Sequence, residues 1–232
     1  MKDQPLILSL DQGTSSSRAA IFNCSGEIVA SASSPLEINY PSDGWVEQDA
    51  NNIWISQLKA MELLEKKITP DQRGSVISCG ITNQRETTIL WDKKTGKTVY
   101  NAIVWQDRRT EDYCKKLRKQ NEDTSIFNKT GLLIDPYFSG TKIKWILDNI
   151  PKAKNLMNKK KLLFGTIDCF LIWRLTKGKV HSTDATNASR TMIYNITSNK
   201  WDDSILKLLK IKKYILPEVK DCADDYGKTH PS

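Results

Sequence analysis

Histidine is scarce in this chain: only two of its 232 residues are histidines, His181 and His230. Metal sites of the zinc type draw on several histidine or cysteine side chains held close together. Two histidines far apart in the sequence supply no such set, so a histidine-based metal site is not indicated. A lone histidine is more often structural than catalytic, and we predict a structural role for His181.

The cysteines indicate no metal site or disulfide framework either, because the five are odd in number, widely spaced and without a Cys-x-x-Cys pair. Such a pattern indicates neither a zinc site nor a set of disulfides. An unpaired cysteine behaves as a small apolar residue, so we expect most of these side chains to be buried free thiols. They are Cys24, Cys79, Cys114, Cys169 and Cys222.

Long apolar runs are missing as well. The N-terminal stretch Met1–Gln12 holds only one short apolar run, Leu6–Leu10. This run is too short for a signal-peptide core or a membrane span, and no later run reaches membrane length. The sequence therefore predicts a cytoplasmic protein without a membrane partner.

The net charge of +8 raises the question of a nucleic-acid partner. Most of the positive charge is lysine in short runs, such as Lys159–Lys161 and Lys212–Lys213. Proteins that bind nucleic acid favour arginine interleaved with aromatic residues. We therefore interpret the charge as a solvated, lysine-rich surface and predict no nucleic-acid binding.

The pattern of apolar residues predicts an α/β fold with a mixed sheet flanked by helices. Three short strands separated by tight turns open the chain, which indicates an antiparallel start. Trp54, Leu58, Met61 and Leu64 then recur at helical spacing, and Asp49 or Asn51 could cap that helix. The predicted strands are Leu6–Leu10, Arg18–Asn23, Ile28–Ser33, Val76–Ile81, Thr87–Trp91 and Met192–Ile196, and the other predicted helices are 109–120, 139–150, 167–175 and Asp202–Leu209.

A first polar constellation, Asp11–Arg18, lies between two predicted strands. Gly13 permits a tight turn, and hydroxyl and N–H groups there could cradle phosphate oxygens. Asp11 could hold Mg²⁺ directly or through water. A plain polar hairpin is the alternative interpretation. The candidate phosphate contacts are Thr14, Ser15, Ser16, Ser17 and Arg18.

A second constellation, Asn83–Thr88, follows an apolar strand. Arg85 donates and Glu86 accepts hydrogen bonds, so together they could recognise the hydroxyls of a polyol. Adjacent strand residues point to opposite faces, so both side chains reach one ligand only if the backbone is irregular there. A surface ion pair is the alternative.

Aromatic residues supply the third and fourth candidates, Trp105 and Tyr137. An aromatic ring could pack against the carbon chain of a small alcohol while polar groups bind its hydroxyls. Core packing is the alternative for any one ring, and we assign the other tryptophans to packing. They are Trp45, Trp54, Trp91, Trp145, Trp173 and Trp201.

Taken together, these segments resemble the FGGY family of carbohydrate kinases, and within it the branch that phosphorylates glycerol. The segment Asn83–Glu86 distinguishes this branch from the xylulose kinases of the family, which typically have a Gln-Met-His-Gly type sequence there. Tyr137–Asn149 resembles the family's first signature, including Lys142 and Trp145. The matching segments are LSLDQGTSSSRA, DGWVEQD, GITNQRETT, YNAIVWQDRRT, TGLLIDPYFSGTKIKWILDN, LLFGTIDCFLIWRLTKG and TDATNASRTM.

The resemblance implies a ribonuclease-H-like, actin-like ATPase fold and ATP-dependent phosphorylation of glycerol to glycerol 3-phosphate. By position, the glycerol pocket comprises Arg85, Glu86, Trp105 and Tyr137. The nucleotide phosphates contact Thr14, Ser15, Ser16 and Arg18. Asp11 is the Mg²⁺-associated carboxylate, and Asp11 and Arg85 are the catalytic residues that this chain supplies.

The resemblance also implies that residues 1–232 form the N-terminal, glycerol-binding half of such a kinase. The loop-like sequence Lys228–Ser232 is consistent with a chain that continues. The general-base aspartate and the adenine pocket are then expected beyond Ser232, and residues 1–232 alone are expected to be inactive. The full-length protein is expected to be a homo-oligomer. A non-catalytic polyol- or phosphate-binding domain and a kinase for another polyol remain the alternatives.

Overall fold

The computed structural model describes residues 4–230, and the chain divides into two compact units. The first unit comprises Met1–Ile38 and Gln48–Gln84, and the second comprises Asn39–Glu47 and Arg85–Ser232. Met1–Asp3 of the predicted N-terminal stretch and Pro231–Ser232 of the predicted C-terminal loop lie outside the described residues.

The first unit is built around a four-stranded sheet with the strand order β3-β2-β1-β5. The pairs β1–β2 and β2–β3 are antiparallel, and β1–β5 is parallel. A parallel pair needs a crossover connection, and the helix α1 lies within it. The predicted mixed sheet is therefore confirmed. The elements are β1 (Leu6–Gln12), β2 (Ser16–Phe22), β3 (Ile28–Pro35), α1 (Ala50–Glu65), α2 (Pro70–Gly74) and β5 (Val76–Asn83), while β4 (Glu47–Gln48) contains the boundary between the units.

Helix α1 begins after Asp49, whose side chain accepts a 2.7 Å hydrogen bond from the Asn51 N–H. This confirms one of the two predicted caps. The buried face of α1 carries Ile53, Ala60 and Leu64. Of the apolar residues that predicted the helix, only Leu64 is fully buried, because the contact with β2 and β3 is turned toward Ile53 and Ala60.

The second unit is mainly helical, with short two-stranded pairings. Strand β6 pairs antiparallel with β8, β10 antiparallel with β11, and β9 parallel with β12. Its elements are β6 (Ile89–Asp92), β7 (Ala102–Ile103), α3 (Glu111–Lys119), α4 (Asp123–Thr130), α5 (Ser139–Asn149), α6 (Pro151–Asn158), β8 (Leu162–Gly165), α7 (Ile167–Leu175), β9 (Ser182–Asp184), α8 (Ala185–Ala188), β10 (Tyr194–Asn195), β11 (Lys200–Trp201), α9 (Asp203–Leu209) and β12 (Glu218–Lys220), with 3-10 turns at Ser189–Thr191 and Lys213–Ile215.

Helix α5 is central to the core of the second unit. Its residues Ile143, Ile146 and Leu147 are buried, as their helical spacing predicted. They belong to a cluster that also contains Leu117, Phe164 and other side chains of α3, β8 and α9. Burial extends to polar residues of α5, since Lys142 is 0% exposed. An amine so deeply buried needs polar partners, and its Nζ donates to the carbonyl oxygens of Tyr137 and Glu86.

Two predicted strands are shorter than expected. The predicted strand Thr87–Trp91 begins only at Ile89, because a tight turn at Glu86 precedes it. The predicted strand Met192–Ile196 shrinks to Tyr194–Asn195, and Met192 has a φ of 64°. A residue in the left-handed region does not continue an extended strand.

The expectation that most cysteines are buried is wrong. All five thiols are free, but only Cys114 and Cys169 are buried. Cys24 lies in the turn between β2 and β3, Cys79 lies on the edge strand β5, and Cys222 follows β12. A turn, an outer strand and the segment after a strand leave these side chains exposed, which the number and spacing of cysteines do not reveal.

None of the helices within residues 4–230 combines the length and the apolar character that a membrane span requires.

Candidate functional site

The turn between β1 and β2 holds the residues predicted to contact phosphate. The Gly13 N–H donates to the Ser16 carbonyl oxygen at 2.9 Å and closes the turn. A Cβ on Gly13 would lie 3.0 Å from that oxygen, so the absence of a side chain allows this close approach. Ser15 is exposed, and Thr14 and Ser16 are half-buried.

The carbonyl oxygens of this turn accept hydrogen bonds from the rest of the first unit. Gln48 Nε2 donates to the Thr14 carbonyl at 2.7 Å, and the Leu36 N–H donates to the Ser15 carbonyl at 2.9 Å. Gln48 is fully buried and is held by Gln84, whose Nε2 donates to Gln48 Oε1 at 2.7 Å. Anions are repelled by carbonyl oxygens, so a turn whose carbonyls are engaged suits a phosphate ligand.

Asp11 and Arg18 are direct partners in the β1–β2 ladder. Opposed residues of an antiparallel pair project from the same face of the sheet, and both of these side chains are exposed. The neighbouring partners Gln12 and Ser17 are buried, with Ser17 Oγ donating to Gln12 Oε1 at 2.8 Å. The hairpin therefore presents two opposite charges outward and buries a polar support behind them.

Glu86 lies in a tight turn of the second unit. Its φ is 63°, and the Thr87 N–H donates to the Arg85 carbonyl at 2.7 Å across it. A non-glycine residue in this region costs about 1–3 kcal/mol and persists only where its surroundings hold it. The irregular backbone that Arg85 and Glu86 would need to reach one ligand is therefore present. The Glu86 carbonyl accepts hydrogen bonds from Ser139 Oγ at 3.0 Å, Thr88 Oγ1 at 3.2 Å and Lys142 Nζ at 3.4 Å.

The Glu86 carboxylate is nearly buried, with 3% of the side chain exposed, and forms an ion pair with Arg190. Arg190 Nε donates to Glu86 Oε1 at 2.7 Å. Within residues 4–230, neither Glu86 Oε2 nor the Nη atoms of Arg190 have a hydrogen-bond partner. Glu86 Oε2 is not among the fully buried polar atoms that lack a partner in the described residues, so it remains accessible to solvent or to a ligand.

The Tyr137 ring lies beside this ion pair and packs against the Trp105 ring. The ring centroids of Trp105 and Tyr137 are 5.6 Å apart at an interplanar angle of 59°. The Arg190 guanidinium carbon lies 5.7 Å from the Tyr137 ring centroid and 4.9 Å from that of Phe138. We call Glu86, Trp105, Tyr137 and Arg190 the Glu86 cluster. It combines ring faces with a carboxylate acceptor and guanidinium donors, which suits a hydroxylated carbon chain.

Three of the four residues predicted for the alcohol pocket are thus brought together, namely Glu86, Trp105 and Tyr137. The fourth, Arg85, is exposed and makes no side-chain hydrogen bond or ion pair with the other described residues. Sequence reasoning missed Arg190, although it lies in the quoted segment TDATNASRTM. An arginine among small polar residues was the available signal.

The residues that follow Trp105 have a structural role. Asp107 and Arg109 are buried, and Arg109 Nη2 donates to Asp107 Oδ2 and to Glu47 Oε1, each at 2.8 Å. The Arg109 guanidinium stacks 3.8 Å from the Trp45 ring centroid. Burial alone would raise the pKa of Glu47, but hydrogen bonds from Tyr100, Asn101 and Arg109 outweigh it and lower the pKa. This network holds the segment that carries Trp105.

His181 is also structural, as predicted. Its Nε2 lies 2.8 Å from the Phe164 carbonyl, and its ring packs edge-on against Trp91. Burial lowers the pKa of His181 to about 4, so the ring is neutral at physiological pH. Because a carbonyl only accepts, Nε2 carries the proton and donates it to Phe164.

Comparison with known proteins identifies the family. The model of the FGGY family of carbohydrate kinases, N-terminal domain, matches residues 6–232. The chain belongs to this family. It therefore has the α/β, actin-like ATPase fold of the FGGY kinases, with a mixed sheet and helices.

Relatives of about 50% identity include several glycerol kinases. The glycerol kinase of Geobacillus sp. is 54% identical over 227 residues, which cover 97% of this chain and 45% of that protein. The glycerol kinase of Malacoplasma penetrans is 53% identical, covering 97% of this chain and 44% of that protein. The crystal structure of Plasmodium falciparum glycerol kinase with ADP matches with a TM-score of 0.90 and 36% identity, covering 98% and 45% of the two chains. The chain thus spans somewhat less than half the length of these relatives.

Proposed function

We propose that this chain supplies the glycerol- and phosphate-binding half of a kinase that transfers a phosphoryl group from ATP to glycerol, giving glycerol 3-phosphate. The observation that carries the proposal is the nearly buried Glu86 carboxylate, of which one oxygen is fixed by Arg190 and the other stays accessible and accepts no hydrogen bond from the described residues. A hydroxyl group of a small polyol would supply that donor. The glycerol kinase relatives favour glycerol as the polyol.

In this proposal the Glu86 cluster binds and orients the alcohol. Glu86 Oε2 accepts a hydrogen bond from one hydroxyl, while Trp105 and Tyr137 pack against the carbon chain. Arg85, next along the chain and exposed, donates to a further hydroxyl. Orientation of this kind is a main contribution of the protein to phosphoryl transfer, because a correctly placed hydroxyl attacks the phosphorus without a covalent enzyme intermediate.

The turn at Thr14–Ser16 would bind the phosphates of the nucleotide. Its hydroxyl and N–H groups would donate to phosphate oxygens, and Arg18 would neutralise charge that develops during transfer. The ADP in the Plasmodium falciparum structure supports a nucleotide as the second ligand. The engaged carbonyls of Thr14 and Ser15 keep repulsive oxygens away from that ligand.

Asp11 would hold the Mg²⁺ that accompanies the nucleotide. No group of three or more metal-ligating side chains occurs within the described part of the chain. A single exposed carboxylate nevertheless fits Mg²⁺, which usually keeps several waters and is bound through one or two carboxylates and substrate phosphates. When bound, the ion would supply charge neutralisation at the phosphates.

We also propose that residues 1–232 are the N-terminal half of the kinase and are not active alone. The matching family model describes an N-terminal domain, and the chain covers 45% of the Geobacillus relative. The general base and the adenine pocket would then be supplied by sequence beyond the matched half. A longer protein of this kind would be expected to form homo-oligomers in the cytoplasm.

The experiment that tests the function is a glycerol titration of the ¹⁵N-labelled chain, followed by NMR, together with an ADP-release assay. Expected are shifts at the amides of Glu86, Trp105 and Tyr137, with no glycerol-dependent ADP release from residues 1–232. Glycerol-dependent turnover by the chain alone would contradict its assignment as an incomplete half.

Matched ligands separate the remaining candidates. Xylitol and ribitol carry the same hydroxyl chemistry on longer chains, and 1-propanol keeps the carbon chain with one hydroxyl. Glycerol is expected to bind more tightly than all three. Preferential binding of a longer polyol would indicate a kinase for that polyol, and shifts confined to other residues would refute the Glu86 cluster as the site.

A further inference from the structure

Lys142 is the most deeply buried lysine that touches the Glu86 cluster. It lies on α5 with 0% of its surface exposed. Its Nζ donates to the Tyr137 carbonyl at 2.7 Å and to the Glu86 carbonyl at 3.4 Å. No step of the proposed phosphoryl transfer uses this side chain. Burying an amine is costly unless it is hydrogen-bonded, so its two carbonyl partners account for its presence in the core.

We propose that Lys142 is a positioning residue for the polyol site, because its Nζ joins the main chains of Glu86 and Tyr137 and fixes the carboxylate relative to the aromatic ring. This inference rests on the proposed function of the Glu86 cluster. Lys142 does not touch the ligand in this proposal. It acts through the two residues that do.

The conformation of Glu86 explains why such a support is needed. With a φ of 63°, Glu86 occupies a backbone region that is unfavourable for a side chain other than glycine. Ser139 Oγ and Lys142 Nζ both donate to its carbonyl from α5, so one helix holds the turn in place. Loss of the amine would leave the Tyr137 carbonyl without this donor and weaken the support of the Glu86 turn.

The support does not depend on the charge of the amine. Burial lowers the pKa of Lys142 to about 7, while the carboxylates of Asp107, Glu86 and Asp135 raise it and Arg109 lowers it further. A neutral amine still carries two N–H donors, which is enough for the Tyr137 and Glu86 carbonyls. The requirement is therefore for a long side chain with an amine at its end.

A matched control lies on the same helix. Lys144 is also buried, at 8% exposure, but its Nζ forms an ion pair with Asp148 and makes no hydrogen bond to the Glu86 cluster. Lys142→Met and Lys144→Met each remove one buried amine from α5 while keeping a side chain of similar length. A general effect of losing a buried lysine would appear in both variants, whereas positioning of the site would appear only in the first.

The test uses the whole 232-residue chain, with glycerol affinity and backbone amide shifts measured by NMR. Lys142→Met is expected to raise the Kd for glycerol about tenfold or more and to shift the Glu86, Thr87 and Phe138 amides without ligand. Lys144→Met is expected to leave both unchanged. If Lys142→Met does not fold, Lys142→Gln retains a donor on a shorter chain and is expected to give a smaller change in the same direction.

The outcomes are distinguishable. A folded Lys142 variant with the wild-type Kd and unshifted Glu86 and Phe138 amides would overturn the positioning role. Equal effects of the two lysine variants would overturn it as well. Failure of the wild-type chain to bind glycerol would refute the proposed function instead, and the ligand-free amide shifts would still decide whether Lys142 fixes the two main-chain segments.

Discussion

Arg190 and Glu86 are 104 positions apart in the sequence, yet Arg190 Nε donates a 2.7 Å hydrogen bond to Glu86 Oε1. The ion pair lies against the Phe138 ring, where water competes less with the charged groups than it does on an open surface. It fixes one carboxylate oxygen and leaves the other available for the proposed alcohol. Because Arg190 is 30% exposed at its side chain, its Nη groups can also reach a bound molecule.

Arg190→Gln is expected to raise the Kd for glycerol by about tenfold, because a charge-assisted hydrogen bond that orients Glu86 is lost. The measurement is the NMR titration described above. Arg174→Gln is the control, since Arg174 is another half-buried arginine beside a phenylalanine, with its guanidinium carbon 5.7 Å from the Phe170 ring centroid. Equal losses of affinity in both variants would indicate a general effect of removing charge.

Arg85→Ala and Glu86→Gln are both expected to weaken glycerol binding, but only Glu86→Gln is expected to lower thermal stability. Each should raise the Kd for glycerol by about one to two decades, since loss of a charge-assisted hydrogen bond costs about 1.5–3 kcal/mol. Arg85 is exposed and makes no side-chain hydrogen bond or ion pair with the other residues of 4–230, so its variant should keep the wild-type Tm. Glu86→Gln should also lower the Tm, because it breaks the ion pair with Arg190.

Thermal stability and glycerol affinity must therefore be measured on both variants. If Arg85 and Glu86 served only the local backbone, both variants would melt earlier and bind glycerol as the wild type does. That combination would remove both residues from the alcohol site.

Local patterns made much of the fold predictable. The strands β1, β2 and β3 follow from apolar runs bounded by Asp-Gln-Gly and Ser-Gly turns, and α1 follows from its spacing and its cap at Asp49. Helices α4 and α6 are short and weakly apolar, so periodicity did not reveal them. In α6 the first-turn proline, Pro151, was a usable signal that the prediction did not apply.

The candidate site was predictable only where its residues are neighbours in sequence. The segments around Glu86, Trp105 and Tyr137 each stood out by composition. Their assembly into one cluster depends on Arg190 and on the buried Lys142, and such long-range pairings leave no trace in local spacing. Asp107 and Arg109 were similarly indistinguishable from ligand-binding charges until their mutual burial was known.

Gln48→Leu is expected to loosen the turn at Thr14–Ser16 and to lower the free energy of unfolding by about 1–3 kcal/mol, because the Thr14 carbonyl loses its buried donor. Faster amide hydrogen exchange at Gly13 is the local readout. Gln57→Leu is the matched control. Gln57 is also buried, and its Nε2 donates at 3.2 Å to the Arg18 carbonyl of β2, but its Oε1 has no partner within residues 4–230. Its removal should therefore cost less and leave the exchange at Gly13 unchanged.

A double variant refines this prediction. Gln84 donates to Gln48 Oε1, so Gln48→Leu alone removes the acceptor of that bond. Gln48→Leu combined with Gln84→Leu should destabilise the chain by less than the sum of the single variants. Additive losses, or unchanged exchange at Gly13, would show that the two glutamines do not act together behind the turn.

The pH dependence of stability is expected to reveal His181. Burial lowers the pKa of His181 from 6.5 to about 4. In the unfolded chain the ring is therefore protonated below about pH 6.5, whereas in the folded chain it is protonated only below about pH 4. Stability is therefore lost as the pH falls through this window, by up to about 3 kcal/mol in total. Above pH 6.5 the ring is neutral in both states and contributes no slope.

Asp168 changes the pH dependence of stability in the opposite direction to His181, so the experiment must distinguish the two contributions. Burial raises the pKa of Asp168 to about 6, against the hydrogen bonds from Thr166 and Thr183, so its contribution to stability is present below about pH 3.8 and is lost as the pH rises toward 6. Between pH 4 and 6 the two slopes partly cancel in the wild type.

His181→Gln keeps an amide donor for the Phe164 carbonyl but does not titrate. The difference in unfolding free energy between the variant and the wild type should therefore change by up to about 3 kcal/mol between pH 6.5 and 4 in favour of the variant, because the Asp168 contribution is common to both. Urea unfolding at half-unit pH intervals measures this difference, and parallel curves for the two proteins across the window would show that His181 is not buried in its neutral form.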